Sequence, residues 1–440
     1  MIVYYLRLAL RSLRRTPVMT ALMVSAIGLG IGASMTMLTV LHVMSRDPIP
    51  ERSSMLFVPH LDPLPKNFPR DNEWGSPADN LTWPDAMALL RNGKAARQAI
   101  LAGGEALLWP VEGEPLPVQL PGRFATADFF PMFGVPMEHG QGWSTADDTA
   151  RARVMVLSNT TARKLFGSAD PVGRMVQVTR KRVGFRVVGV AADWNPQPQF
   201  YADAGQKGGF GEEDAFFLPL STAMELELGT SNHVAGWARA ERKDMYTDPS
   251  TSWLQMWVQL DTPAQVADYR RFLYDYAAQQ HSSGRFERGP DTARLYPLMD
   301  WLAHLRLVPD DLRLQTHLAV GFLVVSLLNI VALLLAKFLR RGSEVGIRRA
   351  LGARRSDVFT QLGAEAVLIG VLGGVLGIGV AQLGLWSVRQ RPDAYAKVAQ
   401  MDTTMLVVTV LLALAATLLA GLLPAWRASR IAPALQIKAS

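Results

Sequence analysis

The sequence contains no cysteine in 440 residues. That excludes disulfide scaffolds, Cys-ligated zinc, iron–sulfur clusters and thiol nucleophiles together. Charge is scarce as well: Asp, Glu, Lys and Arg make up 19% of the chain, below the roughly 25% of a soluble domain. Disorder is excluded for most of the chain by its 49% hydrophobic content, because disordered chains are poor in apolar residues. No G-x-x-x-x-G-K-[ST] phosphate loop is present, and no G-x-S-x-G elbow; Gly93-Lys94 is followed by Ala95 and lacks the earlier glycine. The histidines (His42, His60, His139, His233, His281, His304 and His317) show no H-x-x-x-H or similar ligand spacing. No catalytic, cofactor-binding or metal-binding residue is therefore expected, and the chain is not expected to hydrolyse nucleotide by itself.

Charge is missing altogether from four stretches: Thr16–Ser45, Leu314–Ala336, Ala366–Val388 and Thr403–Trp426. A helix of roughly 20 apolar residues crosses a bilayer core, and each stretch is that long. The first is too long for the apolar core of a signal peptide, and no A-x-A-like site follows it. Four transmembrane helices are expected, over 18–45, 314–336, 366–388 and 403–426. His42 lies near the outer end of the first and is read as a tolerated interfacial residue.

Orientation follows from the flanking charges. Residues 1–17, a basic amphipathic segment, carry Arg7, Arg11, Arg14 and Arg15 and no acid. The 337–365 loop carries Lys337, Arg340, Arg341, Arg348, Arg349, Arg354 and Arg355 against Glu344, Asp357 and Glu365. The 427–440 tail adds Arg427, Arg430 and Lys438. Short cytoplasmic segments hold the Lys/Arg excess, so both termini and the 337–365 loop are expected inside. The segment 46–313 and the short loop 389–402 are then outside. The net charge of +7 is a topology signature, and no basic patch on a soluble face points to nucleic acid.

The 46–313 segment reads as one α+β domain. Asp47–Asn80 is expected to be loop. Strands are expected at Arg153–Leu157, Gly173–Val178, Phe185–Val190 and Trp253–Leu260. Ser158-Asn159 precedes a helix-like Thr160–Phe166. Arg180-Lys181-Arg182 should form a solvated hairpin turn. Thr262 is an N-cap with Pro263 at the first helical position. Gln199–Asp214 looks like a mobile loop. A further helix should start at Pro309-Asp310 and run to Leu339, longer than the bilayer core and able to serve as a stalk.

The 342–357 segment reads as a short capped helix on the membrane surface. Ser343 can cap it, Glu344 favours its N-terminus, Gly352 can end it in a left-handed turn, and Ser356 can cap the next helix. Val345, Ile347, Ala350 and Leu351 offer apolar contact; Arg348 and Arg349 offer charge. The small-residue pairs Gly28/Gly32, Gly370/Gly374 and Gly373/Gly377 allow close helix approach, within one subunit or between two.

The run Glu344–Asp357 (E-V-G-I-R-R-A-L-G-A-R-R-S-D), followed by a Gly-rich helix, resembles the signature of FtsX-like permeases of ABC transporters. Pro424–Pro433 is similar to that family's ending. Ala127–Val135, Leu157-Ser158, Leu165–Gly167, Asp170–Arg174 and Val187–Val190 resemble pieces of a MacB-type periplasmic domain, in the family's order. The resemblance implies an inner-membrane permease subunit, multi-pass with a periplasmic 46–313 domain, working as a dimer with a second copy or paralogue. It implies a cytoplasmic ABC ATPase partner that binds ATP and Mg; in the macrolide exporter of this family the ATPase is fused ahead of the first helix, and here it is expected on a separate protein. The resemblance casts Glu344, Val345, Ile347, Arg348, Arg349, Ala350, Leu351 and Gly352 as the ATPase-coupling interface. ATPase closure would rock the helices and move the external domain, a mechanotransmission cycle, and the lack of acid or Lys in the spanning stretches fits that. Export or extraction of peptides, antibiotics or lipoproteins with a periplasmic adaptor is one implied role. Transmission of the ATPase state to a periplasmic cell-wall enzyme or signalling partner is the alternative, disfavoured by the large external domain.

Overall fold

The computed structural model describes residues 2–69, 76–109, 117–179, 181–203, 209–238, 241, 244–341, 347, 351–391 and 399–429. It comprises two compact units, Met1–Ser45 with Val308–Ser440, and Arg46–Leu307.

In the first unit a helix over Ile2–Arg15 is separated from one over Pro17–Ser45. Pro17 lacks an amide hydrogen and pushes Thr16 out of helical geometry, which breaks the chain there. Three further long helices follow, Asp310–Leu339, Arg355–Arg389 and Thr403–Ser429. All but Ile2–Arg15 are long and apolar enough to span a membrane. Met23, Ile27, Ile31 and Met35, every fourth residue of the first spanning helix, form a buried stripe. It packs with Leu323, Ile330 and Leu334 of the second and Ile369 and Ala381 of the third. Leu314, Leu318, Val325 and Leu328 are exposed on the second, apolar side chains suited to lipid.

The helices outrun their charge-free stretches. The third has 35 residues, about 53 Å at 1.5 Å per residue, against about 30 Å of bilayer core. It starts at Arg355, two residues ahead of the start that a Ser356 cap would give, and runs through the polar turns into the charge-free stretch from Ala366. Ser356 is not its cap. Arg354 holds that position, and its amide donates to Asp357 Oδ2 at 3.0 Å, the carboxylate half of a capping box.

The second unit is built on a mixed sheet of β1 (Leu56–His60), β2 (Leu81–Thr82), β3 (Arg97–Trp109), β4 (Val118–Ala125), β5 (Met137–Gly140), β6 (Val154–Ser158), β7 (Met175–Val178), β8 (Val183–Ala191), β9 (Phe216–Pro219), β10 (Ala235–Gly236), β11 (Thr251–Gln259) and β12 (Arg294–Pro297). The main order is β12-β1-β11-β3-β4-β9-β6-β8-β5. Pairs β4/β9 and β6/β8 are parallel. Successive side chains of a strand face opposite sides. Ile100 and Ala102 of β3 accordingly enter one core, and Ala99 and Leu101 the other. The helix Pro263–Ser282 covers the first face with Tyr269, Leu273 and Ala277. Phe129–Phe133 and Leu298–His304 cover the second.

The expected strands correspond to β6, β7, β8 and β11. Ser158 caps the helix Asn159–Phe166 through the Thr161 amide, and Thr262 caps Pro263–Ser282 in a box with Gln265. Two expectations are corrected. Asp47–Asn80 is not all loop: Leu56–His60 pairs antiparallel with both β11 and β12, its apolar run filling a gap in the sheet. Gln199–Asp214 is not loose in its described part, residues 204–208 lying outside it. Phe200, Tyr201 and Phe210 are each at most 2% exposed, and Tyr201 stacks on Trp194 at 5.0 Å. In the β7–β8 turn the Arg182 guanidinium lies 4.0 Å over the Trp109 ring, a cation–π contact and not a merely solvated charge.

Candidate functional site at the cytoplasmic loop

The 342–354 loop joins the second and third spanning helices. Glu344, Val345, Arg348, Arg349 and Ala350 lie outside the described residues. Of the rest, the Leu351 amide donates to the Ile347 carbonyl at 3.0 Å, one helical turn. Gly352 has φ +99°, the left-handed geometry that ends a helix and that glycine adopts without strain. Ile347 is 58% exposed and Leu351 82%, so both apolar side chains are open among the described residues.

Both roots of this loop are tied to the N-terminal helix by buried charge. Lys337 forms an ion pair with Glu365, their side chains 2% and 1% exposed. Arg341 Nη1 stands 3.3 Å from Glu365 Oε2 and donates to Ser12 Oγ at 2.5 Å. Ser12 Oγ donates in turn to Glu365 Oε1 at 2.6 Å. A buried pair is strongly destabilised when one partner is removed, because the other charge stays desolvated. Sequence reasoning missed this cluster. Lys337 and Glu365 each lie one residue outside a charge-free stretch and read as topology charges. The only signal was that neither is followed by a helix breaker.

The six glycines of the helix-packing set all meet partners inside the chain. A Cβ at Gly28 would stand 2.7 Å from Leu376 Cγ, and one at Gly373 would stand 2.5 Å from Ile27 Cγ2. Gly32 abuts Val380, and Gly377 abuts Ile31. Gly370 faces Thr417, and Gly374 faces Ala413. Four of these positions bring the first and third spanning helices together, and two bring the third to the fourth. His42 Nε2 lies 3.8 Å from Asp402 Oδ2, which just precedes the fourth.

The external unit carries a groove of about 720 Å³ lined by Trp83, Met87, Leu90, Asp148, Leu220 and Met224 among others. Burial pushes the Asp148 carboxyl up to about 6, against hydrogen bonds from the Ala127 amide at 2.7 Å and Trp143 Nε1 at 2.9 Å that favour its charged form. The groove combines apolar walls with a perturbed acid.

Residues 20–271 match the family model described as MacB-like periplasmic core domain, and residues 317–433 that of the FtsX-like permease C-terminal segment. The chain is 27% identical over 240 residues to the macrolide export ATP-binding/permease protein MacB of Bdellovibrio bacteriovorus, covering 54% of this chain and 32% of that protein. It is 26% identical over 428 residues to the MacB 1/2 protein of Paracoccus denitrificans, covering 97% of this chain and 57% of that one. The matched region thus spans between about a third and just over half of these relatives. The solved periplasmic region of MacB from Actinobacillus actinomycetemcomitans aligns with 56% of this chain and 90% of its own at 16% identity, with a TM-score of 0.34.

Proposed function

The chain belongs to the MacB/FtsX-type family of ABC transporter permeases, and we propose that it passes the work of a partner ABC ATPase to its periplasmic domain. It is a multi-pass inner-membrane permease, with the periplasmic domain between the first and second spanning helices. The observation that carries the proposal is the buried Lys337–Glu365–Arg341–Ser12 cluster at the roots of the 342–354 loop. A push on that loop would be felt at once by two spanning helices and the amphipathic helix, because desolvated charges resist separation. ATP and Mg would bind on the ATPase. Ile347 and Leu351, with Val345, would enter a groove of that partner, while Glu344, Arg348 and Arg349 set the register. The working unit would be a dimer with a second copy or paralogue, joined by a periplasmic adaptor, for export or extraction of peptides, antibiotics or lipoproteins. Its dimer contacts would lie away from the six glycine faces, which are filled within the chain.

The test is Arg348→Glu with Arg349→Glu in the membrane-inserted chain, assayed with its ATPase. Surface charges contribute little to folding, so insertion and yield should be unchanged. Opposed charges at an interface cost several kcal/mol, so stimulation of the ATPase should be lost together with transport. Normal co-purification and normal stimulated hydrolysis would overturn the coupling role.

A further inference from the structure

Three side chains far apart in sequence converge on the periplasmic domain: His60 at the end of β1, Asp79 closing the 3₁₀ turn Pro77–Asp79, and His304 ending the helix Leu298–His304. Asp79 Oδ1 lies 2.9 Å from His304 Nε2 and 3.8 Å from His60 Nε2. One ligand atom from each residue falls within 4.8 Å of the others. From this juxtaposition we propose a zinc-class divalent metal site with two imidazole ligands and one carboxylate ligand, leaving a fourth position open.

The spacing fits the chemistry. Zinc binds His nitrogen and carboxylate oxygen at about 2.0–2.2 Å, so neighbouring ligand atoms of a tetrahedral site stand about 3.3 Å apart. The two Asp79–His separations bracket that value. The supporting shell is present as well. Asp79 Oδ2 is occupied by the Ser76 amide at 3.1 Å, which fixes the carboxylate and leaves Oδ1 for the imidazoles; carboxylates that bind metal are held in this way. His304 stacks on Tyr296 at 4.8 Å and on Trp301 at 5.2 Å, and His60 meets Tyr296 edge-on at 5.8 Å. Both rings are therefore oriented before any metal arrives.

An Asp–His hydrogen bond with a second histidine nearby explains part of this arrangement but leaves His60 unaccounted for. Its side chain is 11% exposed. Its Nδ1 is buried without a hydrogen-bond partner among the described residues, and its Nε2 is beyond hydrogen-bond range of Asp79. A metal bound at Nε2 would give that nitrogen the partner that Asp79 is too far away to supply by a hydrogen bond. The bound ion would pin β1, the Pro77–Asp79 turn and the end of the Leu298–His304 helix to one point, just ahead of the spanning helix that starts at Asp310. The two donor nitrogens favour zinc-like ions over magnesium or calcium, which take oxygen.

The experiment uses the full chain in lipid nanodiscs, stripped with a chelator and titrated with zinc against a chromophoric competitor. One zinc per chain should bind at the wild-type site and raise the unfolding temperature. His304→Gln and Asp79→Asn should each weaken binding at least tenfold and remove the thermal shift. X-ray absorption of the zinc-loaded wild type reads the ligands without any substitution, and two imidazoles with one carboxylate oxygen are expected. Wild-type binding no tighter than that of a His60→Gln/His304→Gln variant overturns the site. So does an absorption spectrum without imidazole scattering.

Discussion

Ser12 Oγ donates to Glu365 Oε1 at 2.6 Å, although 353 positions separate the two residues in sequence. The contact brings the amphipathic N-terminal helix onto the third spanning helix, beside Lys337 of the second and Arg341 just past its end. Two cationic groups and one hydroxyl converge on a single buried carboxylate, so Glu365 is the residue on which this corner of the membrane unit depends.

Glu365→Ala should therefore destabilise the membrane unit by about 3–5 kcal/mol, since it strands the Lys337 ammonium away from water. Glu365→Leu combined with Lys337→Met should recover most of that loss, because both charges leave together. Thermal unfolding in nanodiscs measures both. Equal stability of Glu365→Ala and wild type would show that the pair is solvated in the membrane.

Gly373→Leu should cost about 1–3 kcal/mol or more through overpacking, because the added side chain meets Ile27. Gly321→Leu is the control: nothing lies within 4 Å of a Cβ built there, so little change is expected. Proteolytic sensitivity and melting in nanodiscs compare the two. Loss of the assembled dimer from Gly28→Leu with intact monomer stability would instead assign that glycine to a contact between copies.

Topology can be read directly, since the chain has no cysteine. Cysteine at Ser282 should react with an impermeant thiol reagent in intact cells, and cysteine at Ser343 should react only after permeabilisation. Labelling at Ser343 in intact cells would reverse the orientation drawn from the basic flanks.

Asp148 gives a pH signature with a definite sign. Burial raises its folded-state pKa to about 6, above the ordinary aspartate value of 3.8. Between those values the folded protein binds more protons than the unfolded chain, so this group lowers stability as pH rises from about 4 to about 6. The size is on the order of 1–2 kcal/mol, discounting for its partly exposed edge. Asp148→Asn should flatten that part of the profile in urea unfolding of the periplasmic domain, followed by Trp fluorescence. A variant profile parallel to wild type would assign the slope to other carboxylates.

The sequence by itself determined the spanning segments, their flanking charges, the cap at Thr262 and the strands of β6, β8 and β11. Each of these is written in neighbouring residues: a charge-free run, a hydroxyl ahead of an apolar helix, or β-branched residues in series. The left-handed Gly352 was legible for the same reason, since only the local backbone is involved. Tertiary structure decided what depends on residues distant in the chain. Leu56–His60 is a strand because β11 and β12 lie on either side of it. Gly28 and Gly373 pack inside the chain because Leu376 and Ile27 face them. Lys337 and Glu365 are buried partners, and not loop charges, because two helices continue past their apolar runs. His60 and His304 meet at Asp79 because the sheet places β1 beside β12, a proximity that no spacing along the chain encodes.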